Sequence, residues 1–250
     1  MDLTRAEEYL ADILANSLSD HKTAAIILAA GNSSRMGGTN KQLEEIDGVP
    51  VLARTLLAYE ACPLIHEIIL VLRLSDFQAA KEIQKKYQIS KLAKLVSGGQ
   101  TRQDSAKLGL DETGDDIRYV AIADGARCLI TSEDITRVCL AAYRHHAASA
   151  AHKVSDTVKR ANSLGGVIET VDRSNLWTVQ TPQVFNRVLY ITAHAKANED
   201  GFCGTDDNSL VEHLGYRVYL EECGSDNLKI TTPEDLTLAR AIIKVREEKA

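Results

Sequence analysis

The stretch "AAIILAAGNSSRMGGTNKQ", Ala24 to Gln42, joins an apolar run to a loop of small residues that carries Arg35 and Lys41. The run is short and continuously apolar, which is typical of a parallel strand covered on both faces. Open α/β sheets bind ligands where such strands end. Backbone N–H groups in such a loop suit phosphate oxygens, and the two cations add charge. The stretch therefore predicts an α/β fold with an anion site after its first strand.

The loop matches neither the P-loop nor the G-x-G-x-x-G fingerprint, which argues against an ordinary NTPase and a dinucleotide dehydrogenase. Beyond it, short apolar runs alternate with segments of helical periodicity. Further strands are predicted at 67–72, 93–97, 119–123 and 150–154, and helices at 49–61, 75–87, 101–112 and 132–147. This alternation predicts a doubly wound, mostly parallel sheet.

Two segments depart from that alternation. Residues 155–178 contain two extended runs around "NSLGG", which predicts a protruding β-arm. Ahead of the first strand, apolar residues recur at a spacing of three and four from Leu3 to Leu18, which predicts an amphipathic helix. We therefore divide the chain into an N-terminal helical extension, 1–20, and a main domain, 21–250, that includes the arm.

Composition limits the class of protein. The chain has 250 residues, 44% of them hydrophobic, and a net charge of −6, which argues against a general nucleic-acid binder. The five cysteines form no closely spaced pair, so we expect reduced thiols in a cytoplasmic protein. The N-terminus lacks the apolar core of a signal peptide, and no run approaches the ~20 apolar residues of a membrane span. We predict no membrane association.

Two further motifs carry candidate chemistry. In "SGGQTRQDS", Gly98 ends a predicted strand, and Arg102 and Ser105 share one helical face at the start of the next helix. In "AIADGARC", Asp124 follows the apolar part of a strand, a common place for a carboxylate that holds Mg²⁺. A metal site needs further oxygen ligands, and we choose Asp226, three residues before Lys229, as the second carboxylate.

Seven blocks, in this order, resemble the 2-C-methyl-D-erythritol 4-phosphate cytidylyltransferases of isoprenoid-precursor synthesis, which are nucleotidyltransferases with a Rossmann-like sheet. The blocks are "LAAGNSSRMGGTNKQ", "GGQTRQDS", "DGAR", "SDTVKR", "TVDRSNLWTVQTPQVF", "TDDNSLVE" and "DNLKITTPEDL". The resemblance extends from about Ala24 to Ile243. Seven ordered blocks are far more specific than any one of them.

The resemblance implies a role for each matching residue. Arg35 and Lys41 look like the pair that holds the triphosphate, and we expect these two and Lys229 to be catalytic. The positions that match the cytidine-binding wall are Ala29, Ala30, Gly31, Gly98, Arg102, Ser105 and Gly125. Those that match the metal-binding carboxylates are Asp124 and Asp226. Those that match the residues holding methylerythritol phosphate are Thr157, Arg173, Thr181, Thr205 and Lys229.

The implied reaction is an in-line displacement on CTP by the phosphate of 2-C-methyl-D-erythritol 4-phosphate. Pyrophosphate departs, and the product is 4-diphosphocytidyl-2-C-methyl-D-erythritol. Mg²⁺ or another divalent cation is the implied cofactor. The resemblance also implies a homodimer formed through the arm, with Arg173 reaching the site of the other subunit.

The chain departs from the family where His-Asp-Ala-Ala-Arg-Pro is usual and Ala123 to Cys128 stand instead. Two alternatives therefore stay open. One is a related cytidylyltransferase acting on ribitol 5-phosphate or another pentitol phosphate. The other is a non-catalytic nucleotide-binding or interaction protein, which the altered loop and the added helix suggest. The candidate site residues that the chain retains count against this second alternative: Arg35, Lys41, Asp124, Arg173, Asp226 and Lys229.

Overall fold

A computed structural model describes residues 21–31 and 40–248, so the predicted N-terminal helix and Arg35 lie outside the described residues. The strands are β1 (Thr23–Leu28), β2 (Glu45–Ile46), β3 (Val49–Pro50), β4 (Ile65–Leu72), β5 (Leu92–Ser97), β6 (Tyr119–Asp124), β7 (Ala147–Lys153), β8 (Val158–Ala161), β9 (Val167–Val171), β10 (Trp177–Asn186) and β11 (Tyr219–Glu222). The helices are α1 (Val51–Ala61), α2 (Phe77–Lys86), α3 (Arg102–Asp111), α4 (Ser132–His145), α5 (Arg187–Glu199), α6 (Asp207–His213) and α7 (Pro233–Glu247).

The predicted doubly wound sheet is confirmed. Seven strands lie in the order β11-β7-β10-β6-β1-β4-β5. β1 pairs in parallel with β4 and β6, and β4 pairs in parallel with β5. β10 runs antiparallel to both of its neighbours, β6 and β7, while β11 is parallel to β7. The parallel strands therefore end at one common edge, where their loops meet.

The central strand β1 is buried along its whole length because helices cover both faces of the sheet. Its side chains alternate between two hydrophobic clusters, as the two-residue period of a strand requires. Ala25 and Ile27 pack in the cluster that includes residues of α1 and α4, whereas Ala24 and Ile26 pack in the cluster that includes residues of α3 and α5. This double burial explains why the run "AAIILAA" contains no polar residue.

The predicted arm is a two-stranded hairpin, β8 with β9, that pairs with no strand of the main sheet. Its turn exposes 92% of Leu164, and Val167 and Ile168 beside it are each 63% exposed. The chain then enters β10, which inserts between β6 and β7. The pattern alone did not predict this antiparallel insertion.

The helices predicted between the strands are present, and their ends differ from the predicted ones by at most two residues. The last helix, α7, has Thr232 as its cap and Pro233 as its first residue. Over residues 21–31 and 40–248, no helix is both long enough and apolar enough to cross a membrane. All five cysteines are free thiols.

Candidate active site

A cavity of about 340 Å³ opens where the parallel strands end. β1, β5 and β6 each contribute the loop that follows them, and the segment before α7 closes the rim. The lining residues are Leu28, Ala30, Gly31, Lys41, Gln42, Gly99, Gln100, Thr101, Arg102, Ser105, Asp124, Ala126 and Lys229. The structure therefore brings residues of the three sequence motifs and Lys229 to one cavity.

Small residues form one wall because the loops that follow β1 and β5 approach each other closely. A Cβ atom on Gly98 would lie 2.3 Å from the Cβ atom of Ala30 and 3.3 Å from the hydroxyl of Ser105. The Gly99 N–H donates to the same Ser105 hydroxyl at 3.1 Å. Only glycine fits at position 98 without moving the wall, which is the physical reason for "SGGQ" at this strand end.

Asp124 is the buried anion of the cavity. Its carboxylate lies 2.8 Å from Lys229 Nζ, 3.4 Å from Arg102 Nε and 3.7 Å from Arg127 Nε. Burial alone would raise the pKa of Asp124, but Lys229, Arg102 and Arg127 outweigh it and lower the pKa below its usual value. The carboxylate is therefore ionised at neutral pH.

Lys229 is positioned by a buried asparagine two residues before it. Asn227 is fully buried, and its Nδ2 donates to the carbonyl of Thr181 at 3.1 Å and to Gln180 Oε1 at 3.0 Å. Arg127 Nη1 donates to the Asn227 carbonyl at 2.7 Å. These contacts fix the segment against β10 and the loop after β6, and the backbone of the segment is therefore held where the Lys229 side chain reaches Asp124.

Asp226 faces another partner. Its Oδ2 accepts from Arg246 Nη2 at 2.6 Å, and Arg246 also donates to the Leu129 carbonyl at 2.7 Å. Asp226 is not among the described residues that line the cavity. Its role as a metal ligand stays a prediction, and the carboxylate would have to leave Arg246 to take part.

The residues at the cavity fit a magnesium ion that is bound partly by the protein and partly by the phosphates of a substrate. In the part of the chain that the structure describes, no three His, Cys, Asp or Glu side chains form a ready-made metal site. Mg²⁺ is commonly held by one or two carboxylates together with substrate phosphates and water. Asp124 supplies one such carboxylate at the cavity, so the chemistry of the donor set suits an ion that arrives with a nucleotide.

The residues predicted to hold the second substrate are spread more widely. Thr181 is buried behind Asp124, where its hydroxyl accepts from the Asp124 N–H at 3.0 Å. Thr157, Arg173 and Thr205 are exposed and lie outside the described lining of the cavity. Arg173 donates to the Ser155 carbonyl at the base of the arm.

Of the predicted nucleotide wall, Ala30, Gly31, Arg102 and Ser105 line the cavity directly. The three others lie immediately behind it. Ala29 is buried, the Gly98 N–H donates to the Leu72 carbonyl at 3.0 Å, and the Gly125 N–H donates to the Leu28 carbonyl at 2.8 Å.

Sequence reasoning missed Gln42 and Asp207. Gln42 is 4% exposed, lines the cavity, and has an Oε1 atom that finds no hydrogen-bond partner among the described residues. Asp207 forms an ion pair of 2.6 Å with Arg102. The position of Gln42 directly after Lys41 was an available signal. Asp207 gave none, because an acidic residue in the first turn of a helix is common for reasons of the helix dipole alone.

Comparison with known proteins agrees with this geometry. The family model described as IspD, 2-C-methyl-D-erythritol 4-phosphate cytidylyltransferase, matches residues 23–245. A protein of that name from Syntrophus aciditrophicus is 44% identical over 228 residues, which is 90% of this chain and 97% of the relative. One from Caldanaerobacter subterraneus is 42% identical over 223 residues, 88% of this chain and 98% of the relative.

Two solved structures share the fold. The 4-diphosphocytidyl-2C-methyl-D-erythritol synthase of Anaerococcus prevotii has a TM-score of 0.82 at 30% identity and covers 92% of this chain and 99% of its own. The 2-C-methyl-D-erythritol 4-phosphate cytidylyltransferase of Thermus thermophilus has a TM-score of 0.74 at 30% identity, with 89% and 99% covered. The match in sequence and in fold extends over almost the whole chain, and the chain therefore belongs to the 2-C-methyl-D-erythritol 4-phosphate cytidylyltransferase family.

Proposed function

We propose that this chain transfers the cytidylyl group of CTP to 2-C-methyl-D-erythritol 4-phosphate, giving 4-diphosphocytidyl-2-C-methyl-D-erythritol and pyrophosphate in isoprenoid-precursor synthesis. The observation that carries the proposal is the meeting of Lys41, Asp124 and Lys229 at one cavity beside a wall of small residues. Membership in the family supplies the identity of the two substrates.

The chemistry needs position and charge more than proton transfer. A phosphate monoester is already ionised and nucleophilic at neutral pH, so no side chain has to act as a general base. Lys41 and Lys229 bring positive charge to the place where a triphosphate would lie, and Arg35 joins them in the proposal. Charge held in place before reaction stabilises the developing charge on the leaving pyrophosphate without reorganisation.

Mg²⁺ would be held at Asp124 together with phosphate oxygens of the nucleotide, and Asp226 is the proposed second carboxylate. The ion would offset triphosphate charge and orient the leaving group. Ala29, Ala30, Gly31, Gly98, Ser105 and Gly125 would receive cytidine mainly through backbone contacts, since small residues let the backbone approach the base.

We further propose a cytoplasmic homodimer that is formed through the arm. The exposed apolar residues Leu164, Val167 and Ile168 support an interface there, because a second chain would remove their apolar surface from water. Arg173 lies at the base of this arm and would reach the phosphate of the acceptor in the other subunit. Thr157, Thr181 and Thr205 complete the proposed acceptor site.

Pyrophosphate release tests the proposal directly. The protein is incubated with CTP, Mg²⁺ and either 2-C-methyl-D-erythritol 4-phosphate or ribitol 5-phosphate. Release that requires CTP and the methylerythritol phosphate is the expected result. Pyrophosphate release with ribitol 5-phosphate but not with the methylerythritol phosphate would show that the acceptor is a pentitol phosphate. CTP binding without pyrophosphate release in the presence of either acceptor would favour the non-catalytic alternative.

A further inference from the structure

Arg102 connects the cavity to a second, deeper carboxylate that the proposed reaction does not use. Its Nη1 lies 2.6 Å from Asp207 Oδ2, and its Nε lies 3.4 Å from Asp124 Oδ1. The Asp207 side chain is 1% exposed, against 10% for Asp124 and 32% for Arg102. The guanidinium thus spans from a buried anion to the anion of the cavity.

Asp207 is held in place by contacts to both carboxylate oxygens and to its backbone. The hydroxyl of the buried Tyr190 donates to Asp207 Oδ1 at 2.5 Å, opposite the oxygen that faces Arg102. The backbone N–H of Asp207 donates to Gln183 Oε1 at 2.9 Å. The Tyr190 ring stacks on Phe185 at a centroid distance of 5.0 Å. The position of the carboxylate is therefore fixed by the core.

Electrostatics makes Arg102 the obligatory partner of this carboxylate. A buried carboxylate is costly unless a cation and hydrogen bonds compensate for its lost hydration. Burial would lower the pKa of Arg102, but Asp207 and then Asp124 outweigh it and raise the pKa. The contact to Asp207 is the shorter one, and the planar guanidinium has a fixed donor geometry. Asp207 therefore determines where Arg102 lies.

The same turn of α3 also holds the segment that leads into α6. Gln103 Nε2 donates to the Phe202 carbonyl at 3.3 Å, and its Oε1 accepts from the Gly204 N–H at 3.1 Å. With the ion pair between Arg102 and Asp207, three contacts join the nucleotide wall to this segment.

We propose that Asp207 is a positioning residue for the nucleotide, which holds Arg102 at the cavity wall without touching the ligand itself. This inference rests on the proposed function, since it assigns the cavity to CTP. The alternative is that Asp207 only stabilises the fold. The two roles differ in the effect that a change of Asp207 has on CTP affinity when Arg102 has already been replaced.

A double-mutant cycle separates these two roles. Calorimetric titration with CTP and Mg²⁺ gives the dissociation constant of the wild type, Asp207→Asn, Arg102→Gln and the double variant. We expect each single change to weaken CTP binding by about tenfold, within the range of coupled charged neighbours. The double variant should bind no more weakly than Arg102→Gln. Asp111→Asn, which removes an exposed carboxylate paired with Lys107 on α3, should bind as the wild type does.

Wild-type affinity in a folded Asp207→Asn variant, or losses that add in the double variant, would overturn the inference. If Asp207→Asn does not fold, Tyr190→Phe takes its place, because it keeps the charge and removes one hydrogen bond to Asp207. Its expected loss is about threefold, the size of one hydrogen bond; unchanged affinity would again overturn the inference. The wild type's pyrophosphate release tests the proposed function separately, since the cycle measures binding alone.

Discussion

At the scale of single residues, the cavity balances one anion with cations from three parts of the chain. Asp124 faces Arg102 from α3, Arg127 from its own loop and Lys229 from the segment before α7. A triphosphate that enters would compete with Asp124 for Lys229, and an accompanying cation would occupy the carboxylate that is left. We therefore expect Lys229 to exchange Asp124 for a phosphate when a nucleotide binds.

Lys41→Ala tests the proposed triphosphate contact. We expect the turnover number of this variant to fall by about 10²–10³-fold, as it does when one group that stabilises the charge of a transition state is removed. Melting should stay near that of the wild type, because a partly exposed charge contributes about 0–1 kcal/mol to stability. Steady-state pyrophosphate release and thermal melting are measured side by side, and Lys107→Ala, which removes a partly exposed lysine on α3, is the control. Near-normal turnover in Lys41→Ala would remove Lys41 from the mechanism.

Gly98→Ala tests the small-residue wall. The new Cβ atom would lie 2.3 Å from the Cβ atom of Ala30, so the loops that follow β1 and β5 would have to separate. Forcing a group into a packed site costs about 1–3 kcal/mol. We expect a lower melting temperature and weaker CTP binding in calorimetry. A variant with wild-type stability and affinity would show that the wall is less closely packed than described.

At the scale of elements, α7 secures the segment that carries Lys229. Asp235 in its first turn accepts from the backbone N–H of Thr231 at 2.7 Å and of Thr232 at 2.8 Å. Further along, Ala239 and Ile243 are buried against Ile46 and Ala126. The start of the helix is thus fixed a few residues after Lys229, and its packing holds that start against the loop after β6.

Asp235→Ala removes this capping interaction and should lower the free energy of unfolding by about 1 kcal/mol, as loss of a helix cap does. Burial raises the pKa of Asp235, but hydrogen bonds from Thr231 and Thr232 outweigh it and lower the pKa. The carboxylate therefore stabilises the fold at neutral pH and loses this effect as the pH falls through its depressed pKa. Denaturant unfolding at neutral and at acidic pH measures the stability difference between wild type and variant and its dependence on pH. Glu247→Ala, which removes an exposed carboxylate of the same helix, is the control. An equal difference at both pH values would contradict the assignment.

The elements that the sequence predicted well are those with local signals. The apolar period of α3 lies within a single helix, and the apolar run of β1 reflects burial on both faces of the sheet. The antiparallel insertion of β10 depends on which distant strands it meets, so no local pattern reveals it. The ion pairs of Asp207 with Arg102 and of Asp226 with Arg246 are likewise long-range. The sequence around an aspartate does not indicate which distant arginine will form its ion pair.

At the scale of the whole molecule, the arm is the part that the body of the protein does not cover. Its hairpin has pairs of its own but no strand of the seven-stranded sheet beside it. The apolar side chains at its turn are therefore exposed in one chain, and a second copy of the chain is the proposed cover. The dimer would also place Arg173 near an acceptor site.

Ile168→Glu tests this arrangement, because a charge introduced into an apolar interface is costly to bury. Sedimentation equilibrium should give the mass of a dimer for the wild type and a mass near that of one chain for the variant. Leu238→Glu changes a comparably exposed leucine on α7 and should remain dimeric. A monomeric wild type would show that there is no dimer. A dimeric Ile168→Glu variant would show that the dimer interface lies outside the arm.

The fate of the α-phosphate of CTP tests the central claim, that one cavity carries out cytidylyl transfer. The protein is incubated with Mg²⁺, 2-C-methyl-D-erythritol 4-phosphate and CTP that carries radioactive phosphorus at the α or at the γ position. The account predicts that α label enters the acceptor product and that γ label leaves in pyrophosphate. Label that stays in CTP, or γ label in the acceptor, would contradict it.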